Sequence, residues 1–124
     1  MCFYDWNNIE PAEITANYLR QVAAGKNVTV ARVEVKEGAV TQAHSHRNEE
    51  IVMVLKGAWR FHLPDGERIV GPNQILLIPP GVEHSSEVLE DTVALDICAP
   101  ARADWVTGED QLLHDDPDQF LWAV

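Results

Sequence analysis

Positively charged residues are scarce in this chain of 124 residues, which has nine lysines and arginines against twenty aspartates and glutamates and a formal charge of −11. A phosphate backbone or an anionic membrane surface would repel such a protein. The composition therefore argues against nucleic acid as a partner.

Long apolar runs are also lacking. No stretch approaches the roughly 20 apolar residues that a membrane helix needs. A secretory signal has a basic region ahead of an apolar core, whereas the first residues here include the acidic Asp5 and Glu10. We therefore expect a cytoplasmic protein without a membrane partner.

Cysteine is rare too, since the chain has only Cys2 and Cys98. Cys2 lies at a chain end that we expect to be mobile, so free thiols are favoured over a structural disulfide. A chain of this length can bury one hydrophobic core but not two. We therefore expect a single domain over residues 1–124.

Turn signals recur at short intervals along the chain and separate runs of β-branched residues with alternating polarity. The clearest runs are residues 28–36, 51–55, 59–63, 75–78 and 92–98. This spacing predicts an all-β sandwich or barrel. Between Ile9 and Leu19 we expect a short helical turn near Pro11.

The last residues of the chain, 107–124, are predicted to form a C-terminal tail. This tail is acidic but ends with the apolar residues Phe120, Leu121 and Trp122. Apolar residues at a charged terminus usually dock on a surface. That surface is either the parent barrel or a second subunit, and the sequence does not distinguish the two.

Three of the five histidines belong to one pattern. Gly38 is followed after five residues by His44 and His46, after three more by Glu50 and after six more by Gly57. Side chains alternate between the faces of a strand, so His44 and His46 would project the same way, about 7 Å apart. After a turn, Glu50 would open an antiparallel strand that Gly57 ends.

A second turn, Pro79 to Gly81, leads His84 into another strand. A single histidine on a strand is usually not a ligand, but the joint pattern favours a metal site. Three imidazoles and one carboxylate suit a divalent transition metal with open positions for water or substrate. His62 and His114 lie outside the pattern and are interpreted as a strand residue and a solvated tail residue.

These residues match the two signature motifs of the cupin superfamily, so the chain resembles a small single-domain cupin. The resemblance implies an antiparallel jelly-roll barrel, or double-stranded β-helix, with a metal in its mouth. The first motif fits completely. The second departs at Asn73, where the signature usually has a leading glycine, and at Val88, where it has a closing asparagine. Neither position is a metal ligand.

The run from Val93 to Cys98 places large aliphatic residues at odd positions and small or polar residues at even positions. One face of this strand is expected to pack, while the other lines a pocket. An acidic side chain would be costly to bury without a partner, so Asp96 is expected to meet water, a cation or a ligand. The alternative is that the even face is simply exposed to solvent.

Residues 96–105 and 18–22, together with the first motif, are similar to KdgF-type cupins, which act on unsaturated uronates from pectin and alginate. The likeness covers about residues 17–106, which we take as the barrel core. It implies catalytic roles for Asp96 and Arg102. Cys98 differs from the pattern of that group, which typically has a large aromatic residue at this position. Glu50, often glutamine in the group, should bind the metal more firmly and make it a weaker Lewis acid.

The resemblance implies ketonisation of a 4,5-unsaturated uronate, in which the metal polarises a substrate oxygen, Asp96 moves a proton and Arg102 holds the substrate carboxylate. Two alternatives stay open: a cupin dioxygenase that uses the same ligands, and a barrel that binds a sugar or metabolite without catalysis. The ligand types admit iron, nickel, zinc, manganese or copper. Small cupin barrels are commonly homodimers, so a homodimer is expected.

Overall fold

The structure, a computed structural model, describes residues 1–107. The predicted tail begins at Thr107, the last residue of α1, and the rest of it, with His114, Phe120, Leu121 and Trp122, lies outside the described residues. A short 3₁₀ helix and one short α-helix accompany eight strands. The 3₁₀ helix is Trp6–Asn8, the strands are β1 (Ala12–Thr15), β2 (Tyr18–Ala24), β3 (Thr29–Val35), β4 (Val40–His44), β5 (Glu49–Leu63), β6 (Gly66–Val70), β7 (Ile75–Ile78) and β8 (His84–Ala99), and α1 is Ala103–Thr107.

Two long central strands, β5 and β8, pair with each other in antiparallel fashion over most of their length. The second half of β8 also pairs with β3, and the first half of β5 with β7. The first half of β8 pairs with β4, and the second half of β5 with β6. Each long strand therefore contributes to two layers, as in a jelly-roll barrel, and the all-β prediction is confirmed.

The bend in β5 occurs at Gly57, where the register with β8 shifts. Gly57 has a φ of +101°, and a Cβ there would lie 2.4 Å from the Asp91 carbonyl oxygen and 2.4 Å from the Thr92 hydroxyl. Only glycine tolerates both the conformation and the close approach. The prediction that Gly57 ends the strand was wrong, because β5 bends there and continues to Leu63.

The barrel interior is filled by alternate residues of the central strands. Its buried apolar residues include Ala31, Val33, Val52, Val54, Trp59, Phe61, Ile78, Val88, Ala94 and Cys98. On β8, the even-numbered residues from Thr92 to Cys98 are all at most 5% exposed. The even face therefore points into the barrel, while the odd face lies on the outside and is half-buried.

The N-terminal segment differs from the prediction. No helical turn forms between Ile9 and Leu19, since β1 and β2 make a tight hairpin there. The 3₁₀ helix lies earlier, and Gln21 on β2 donates hydrogen bonds to the carbonyls of Trp6 and Ile9 at 2.6 and 2.7 Å. These bonds anchor the segment to the barrel, which local sequence patterns do not reveal.

Both cysteines lie within the described residues and are free thiols, with Cys2 exposed and Cys98 buried. Asn73 has a φ of +67°. This conformation explains why the signature has glycine there, and asparagine is among the few other residues that adopt it readily. Over residues 1–107, no helix has the length and apolar character needed to cross a membrane.

Candidate metal centre

The three histidines of the predicted site meet at one end of the barrel. His44 ends β4, His84 begins β8, and the two are register partners across the antiparallel pair. Their ring centroids lie 4.3 Å apart, and that of His46 lies 5.1 Å from His84. His46 is beyond the end of β4 rather than on it. The prediction that His44 and His46 alternate along one strand was therefore wrong, but the rings converge.

The tautomer of each histidine is fixed by the main chain. Each Nδ1 lies within hydrogen-bond distance of a carbonyl oxygen two residues away, at 2.7 Å for His44, 3.0 Å for His46 and 2.9 Å for His84. A carbonyl can only accept, so Nδ1 carries a proton, and Nε2, once it is deprotonated, is the atom that can bind a metal. This is the usual arrangement around a metal-binding imidazole.

Glu50, near the start of β5, adds a carboxylate to the same place. Its Oε1 lies 3.0 Å from His46 Nε2 and 3.3 Å from His84 Nε2. Ligand atoms that lie about 2.1 Å from an ion and at right angles are roughly 3.0 Å apart. The separations and the donor types therefore fit one divalent transition metal held by His44, His46, Glu50 and His84.

Burial sets the ionisation of these ligands. It lowers the pKa of His44 to about 3, with a further contribution from nearby His84, so this imidazole stays neutral. Burial alone would raise the pKa of Glu50, but hydrogen bonds with His46, His84 and Asp96 hold it well below its usual value. Burial would lower the pKa of His84, but the bond to Glu50 and its charge raise it. The ionised Glu50 thus keeps a negative charge at the site.

A second group of potential ligands, Glu50, Asp96 and Cys98, lies beside the first. Burial and the charge of Glu50 raise the pKa of Asp96 well above its usual value. Burial also raises the pKa of the Cys98 thiol, with Asp96 contributing. A protonated carboxyl and a protonated thiol are poor metal ligands. The histidines therefore offer the better site, and Glu50 belongs to both groups.

Asp96, on the interior face of β8, is 5% exposed. Among the described residues, its Oδ1 has no hydrogen-bond partner. An unpartnered buried oxygen is costly unless a ligand or water meets it. Since Asp96 lines the same pocket as His44, His46 and His84, the sequence-based expectation that it faces a pocket agrees with its position.

Arg102 follows β8 and is 3% exposed. Its Nε and Nη2 donate to the two carboxylate oxygens of Asp104 at 2.8 and 2.6 Å. Its guanidinium carbon lies 4.8 Å from the ring centroid of Trp105, on α1. Burial would lower the pKa of Arg102, but the bonds to Asp104 raise it. The arginine is thus charged and held in a fixed orientation at the pocket wall.

The pocket above the histidines is open to solvent on one side and has a cavity volume of about 40 Å³. Charged, aromatic and hydroxyl side chains line it together, so it can bind a polar small molecule. Besides the predicted residues, its wall includes Tyr18, Arg20, Thr41, Trp59, Phe61, Ser86 and Trp105.

Sequence reasoning assigned no role to Arg20, Asn48, Asp104 or Trp105. Asn48 is 2% exposed and donates from Nδ2 to the carbonyl of Pro100 at 2.5 Å, so it connects the turn before β5 with the segment before Arg102. A signal for Arg20 was present. Tyr18, Arg20 and Val22 share one face by strand alternation, which places a charge between two residues that favour burial.

The cupin domain model matches residues 31–98. These residues contain all four candidate ligands and make up more than half of the chain. The chain belongs to the cupin family. Among curated proteins, none matches it at the level of sequence.

Several solved structures share this cupin's fold. KdgF from Halomonas sp. matches with a TM-score of 0.78 and 23% identity, over 84% of this chain and 99% of its own. An RmlC-like cupin from Shewanella frigidimarina NCIMB 400 matches with a TM-score of 0.78 and 20% identity, over 83% and 94%. Ectoine synthase from P. lautus matches with a TM-score of 0.77 and 12% identity, over 89% and 86%. At these identities the likeness establishes the fold.

Proposed function

We propose that this cupin is a metal-dependent enzyme that converts 4,5-unsaturated uronates into linear ketones. The observation that carries the proposal is the unpartnered carboxyl oxygen of Asp96, buried in the pocket that the three histidines also line. The resemblance of residues 96–105 to KdgF-type cupins supports this substrate class, and the KdgF fold agrees with it.

In such a substrate the ring oxygen is joined to the double bond as an enol ether. Opening of the hemiacetal yields an enol, and transfer of a proton to carbon yields the ketone. The reaction is an isomerisation, so no oxidant or second substrate is consumed. A divalent metal held by the four ligands would supply a Lewis acid that polarises a substrate oxygen.

Asp96 would move the proton. Its raised pKa favours the protonated carboxyl, which can donate to the substrate carbon and then take the proton of the enol hydroxyl. A positioned general acid or base of this kind contributes roughly 10²- to 10⁴-fold. The neighbouring Glu50 holds the opposite ionisation state, since its pKa is lowered. Paired carboxyl groups with separated pKa values are typical of acid–base sites.

Arg102 would hold the substrate carboxylate. The guanidinium group of Arg102 has five N–H donors, and two of them, on Nε and Nη2, are bonded to Asp104. The edge formed by Nη1 and the second Nη2 hydrogen is the one that would face the anion. The bond to Asp104 and the contact with Trp105 orient this edge before the substrate binds, which reduces the entropic cost of binding.

The test uses metal-loaded protein with unsaturated galacturonate and guluronate monomers. We expect loss of the conjugated ultraviolet band without oxygen uptake, and no loss after the metal is removed by a chelator. An oxygen electrode in the same sample separates the alternatives. Oxygen uptake would favour a dioxygenase, while binding without any turnover would favour a sugar- or metabolite-binding cupin.

We also propose a homodimer, formed through the outer face of the sheet that contains β3, β8, β5 and β7. One row of register partners on this face is entirely apolar: Val30, Ile97, Ile51 and Leu77. The adjacent row has Leu95, Met53 and Ile75, with Arg32 at its β3 end, and Ile75 is 62% exposed. A largely apolar face can pair with its own copy about a twofold axis. Analytical ultracentrifugation of Leu77→Lys tests this, since the charge should favour monomers.

A further inference from the structure

Arg20 is a buried cation that projects into the barrel from β2. It is 3% exposed, and its register partner on β3 is Val33, which is fully buried in the core. Directly opposite residues of an antiparallel pair lie on the same face of the sheet. The Arg20 side chain therefore points into the interior.

Arg20 and Arg102 meet at the same aromatic ring. Their guanidinium carbons lie 5.2 and 4.8 Å from the ring centroid of Trp105, which is 7% exposed. Cation–π contacts of this kind orient a guanidinium group. Both arginines line the pocket that contains Asp96 and the three histidines. The pocket wall therefore presents two fixed positive groups.

The two arginines reach the pocket from different elements. Arg102 follows β8 and forms a two-bond ion pair with Asp104. Arg20 projects from β2. Burial and the charge of Glu50 raise the pKa of Asp96, whereas the positive charges of Arg102 and Arg20 lower it. Arg20 therefore acts electrostatically on the proposed reaction site. In a protein with a formal charge of −11, a local cation is what attracts an anion.

We propose that Arg20 binds the carboxylate group of the substrate together with Arg102 and gives the pocket its selectivity for carboxylates over neutral sugars. This inference rests on the proposed function and names the residue that selects its substrate class. A guanidinium group suits the role because its planar fork matches a carboxylate.

The test compares an acid with its ester. Metal-loaded Arg20→Gln protein is assayed with unsaturated galacturonate and with the methyl ester of the same sugar, which lacks the negative charge. A hydrogen bond between charged groups corresponds to roughly 10- to 100-fold in affinity. We expect KM for the acid to rise by about this factor, with kcat and the KM of the ester changing less than about threefold.

Arg32→Gln is the matched control. Arg32 lies on β3 beside Gln21 and Glu34, outside the pocket, and its removal changes the net charge by the same amount. It should leave KM for both compounds unchanged. Arg20→Lys keeps the charge without the fork, so it should raise KM for the acid by a smaller factor. This variant also keeps the test valid if Arg20→Gln does not fold.

Calorimetric binding of saturated galacturonate separates this inference from the proposed reaction, because binding requires no turnover. If Arg20→Gln weakens this binding at least tenfold while the wild type converts no unsaturated uronate, the reaction is wrong and the selectivity inference stands. If the wild type is active and Arg20→Gln affects acid and ester equally, or neither, the inference is overturned and the reaction stands. A wild type that neither binds nor converts these acids contradicts both.

Discussion

Two clusters of histidine and carboxylate groups lie on β5, β8 and the segments beside them, one inside the barrel and one outside. Inside, His46 and His84 lie 3.0 and 3.3 Å from Glu50 and all three are buried. Outside, on the second half of β5 and its neighbours, His62 lies 3.4 Å from Glu67 and 3.7 Å from Glu87. Both clusters thus bring imidazole and carboxylate groups within 3.0 to 3.7 Å, but the inner cluster has three imidazoles and the outer cluster has one.

The environment separates the two clusters. The outer groups are about half-exposed, and Arg60 donates to Glu87 at 2.6 Å and lowers the pKa of that carboxyl. Surface ion pairs of this kind are screened by water and salt. The Nδ1 atom of each inner imidazole is held by a main-chain carbonyl. Within residues 1–107, the ion pairs of Glu50 are with His46 and His84 and not with an arginine. Burial, orientation and two additional imidazoles distinguish the inner cluster as the candidate metal site.

The largest contrast is expected from removing one histidine in each cluster. His46→Ala should lower the bound metal from about one ion per chain to near zero and abolish turnover, because a ligand and its fixed lone pair are lost. His62→Ala should retain both. Elemental analysis of the purified proteins measures the metal. Equal metal contents in the two variants would show that the inner cluster is not the site.

The next contrast concerns one carboxyl group in each region. Asp96→Asn should reduce turnover by roughly 10²- to 10⁴-fold and keep the metal, since it removes the proton-transfer group. It should also raise the free energy of unfolding by about 1 kcal/mol, because a buried acid beside Glu50 is replaced by a neutral amide. Glu87→Gln should change neither quantity. Undiminished turnover in Asp96→Asn would rule out its proposed role.

A smaller effect is expected at the bend that lets β5 contribute to both regions. Gly57→Ala should destabilise the protein by about 3 kcal/mol, since it combines a positive φ with contact against backbone and hydroxyl atoms. Gly38→Ala is the control, because its φ is +87° but no atom lies within 4 Å of the added Cβ. It should cost about 1 kcal/mol. Chemical denaturation measures both, and equal losses would refute the close approach.

The smallest effect is the pH dependence of the metal-free protein. The pKa of His84 is raised above its ordinary value of 6.5, so its stabilisation is present below that pH and is lost as the pH rises through the folded-state pKa. Glu50 has a pKa below its ordinary value of 4.5, so its contribution is present above that pH and is lost as the pH falls through the folded-state pKa. Both contributions are therefore present between pH 4.5 and 6.5.

The raised pKa of Asp96 adds to this trend, because its contribution is complete below its ordinary value of 3.8 and decreases at higher pH. The lowered pKa of His44 acts in the opposite direction, because its contribution is lost as the pH falls below its ordinary value of 6.5. In metal-free His44→Ala protein, where this opposing contribution is absent, we expect stability to be higher near about pH 5.5 than near about pH 8, by about 1 kcal/mol. The metal-loaded wild-type protein should show the opposite order, because protons compete with the metal for His84. Thermal unfolding of both forms checks this, and identical pH profiles would contradict it.

The fold and the ligand set could be predicted because they depend on short motifs. The positions of His44, Glu50 and His84 relative to turns and strands already predict that they converge. The long strands could not be predicted correctly. Turn-forming residues such as Gly57, Glu90 and Asp91 indicate a break, but pairing across the sheet lets β5 and β8 continue through them.

The part of the pocket wall formed by Arg20, Arg102 and Trp105 could not be predicted either, because it also depends on contacts between distant parts of the chain. Arg20 and Trp105 are far apart in the sequence, and their contact depends on how α1 folds back over β2. The ion pair between Arg102 and Asp104 is local, but its orientation toward the pocket is set by the barrel. Local patterns carry no information about such long-range placement.

Anomalous X-ray scattering from crystals of the metal-loaded protein tests the central claim most directly. We expect one strong peak per chain, about 2.1 Å from Nε2 of His44, His46 and His84 and from Oε1 of Glu50. A peak beside Asp96 and Cys98 instead, or no peak within the barrel, would contradict the account.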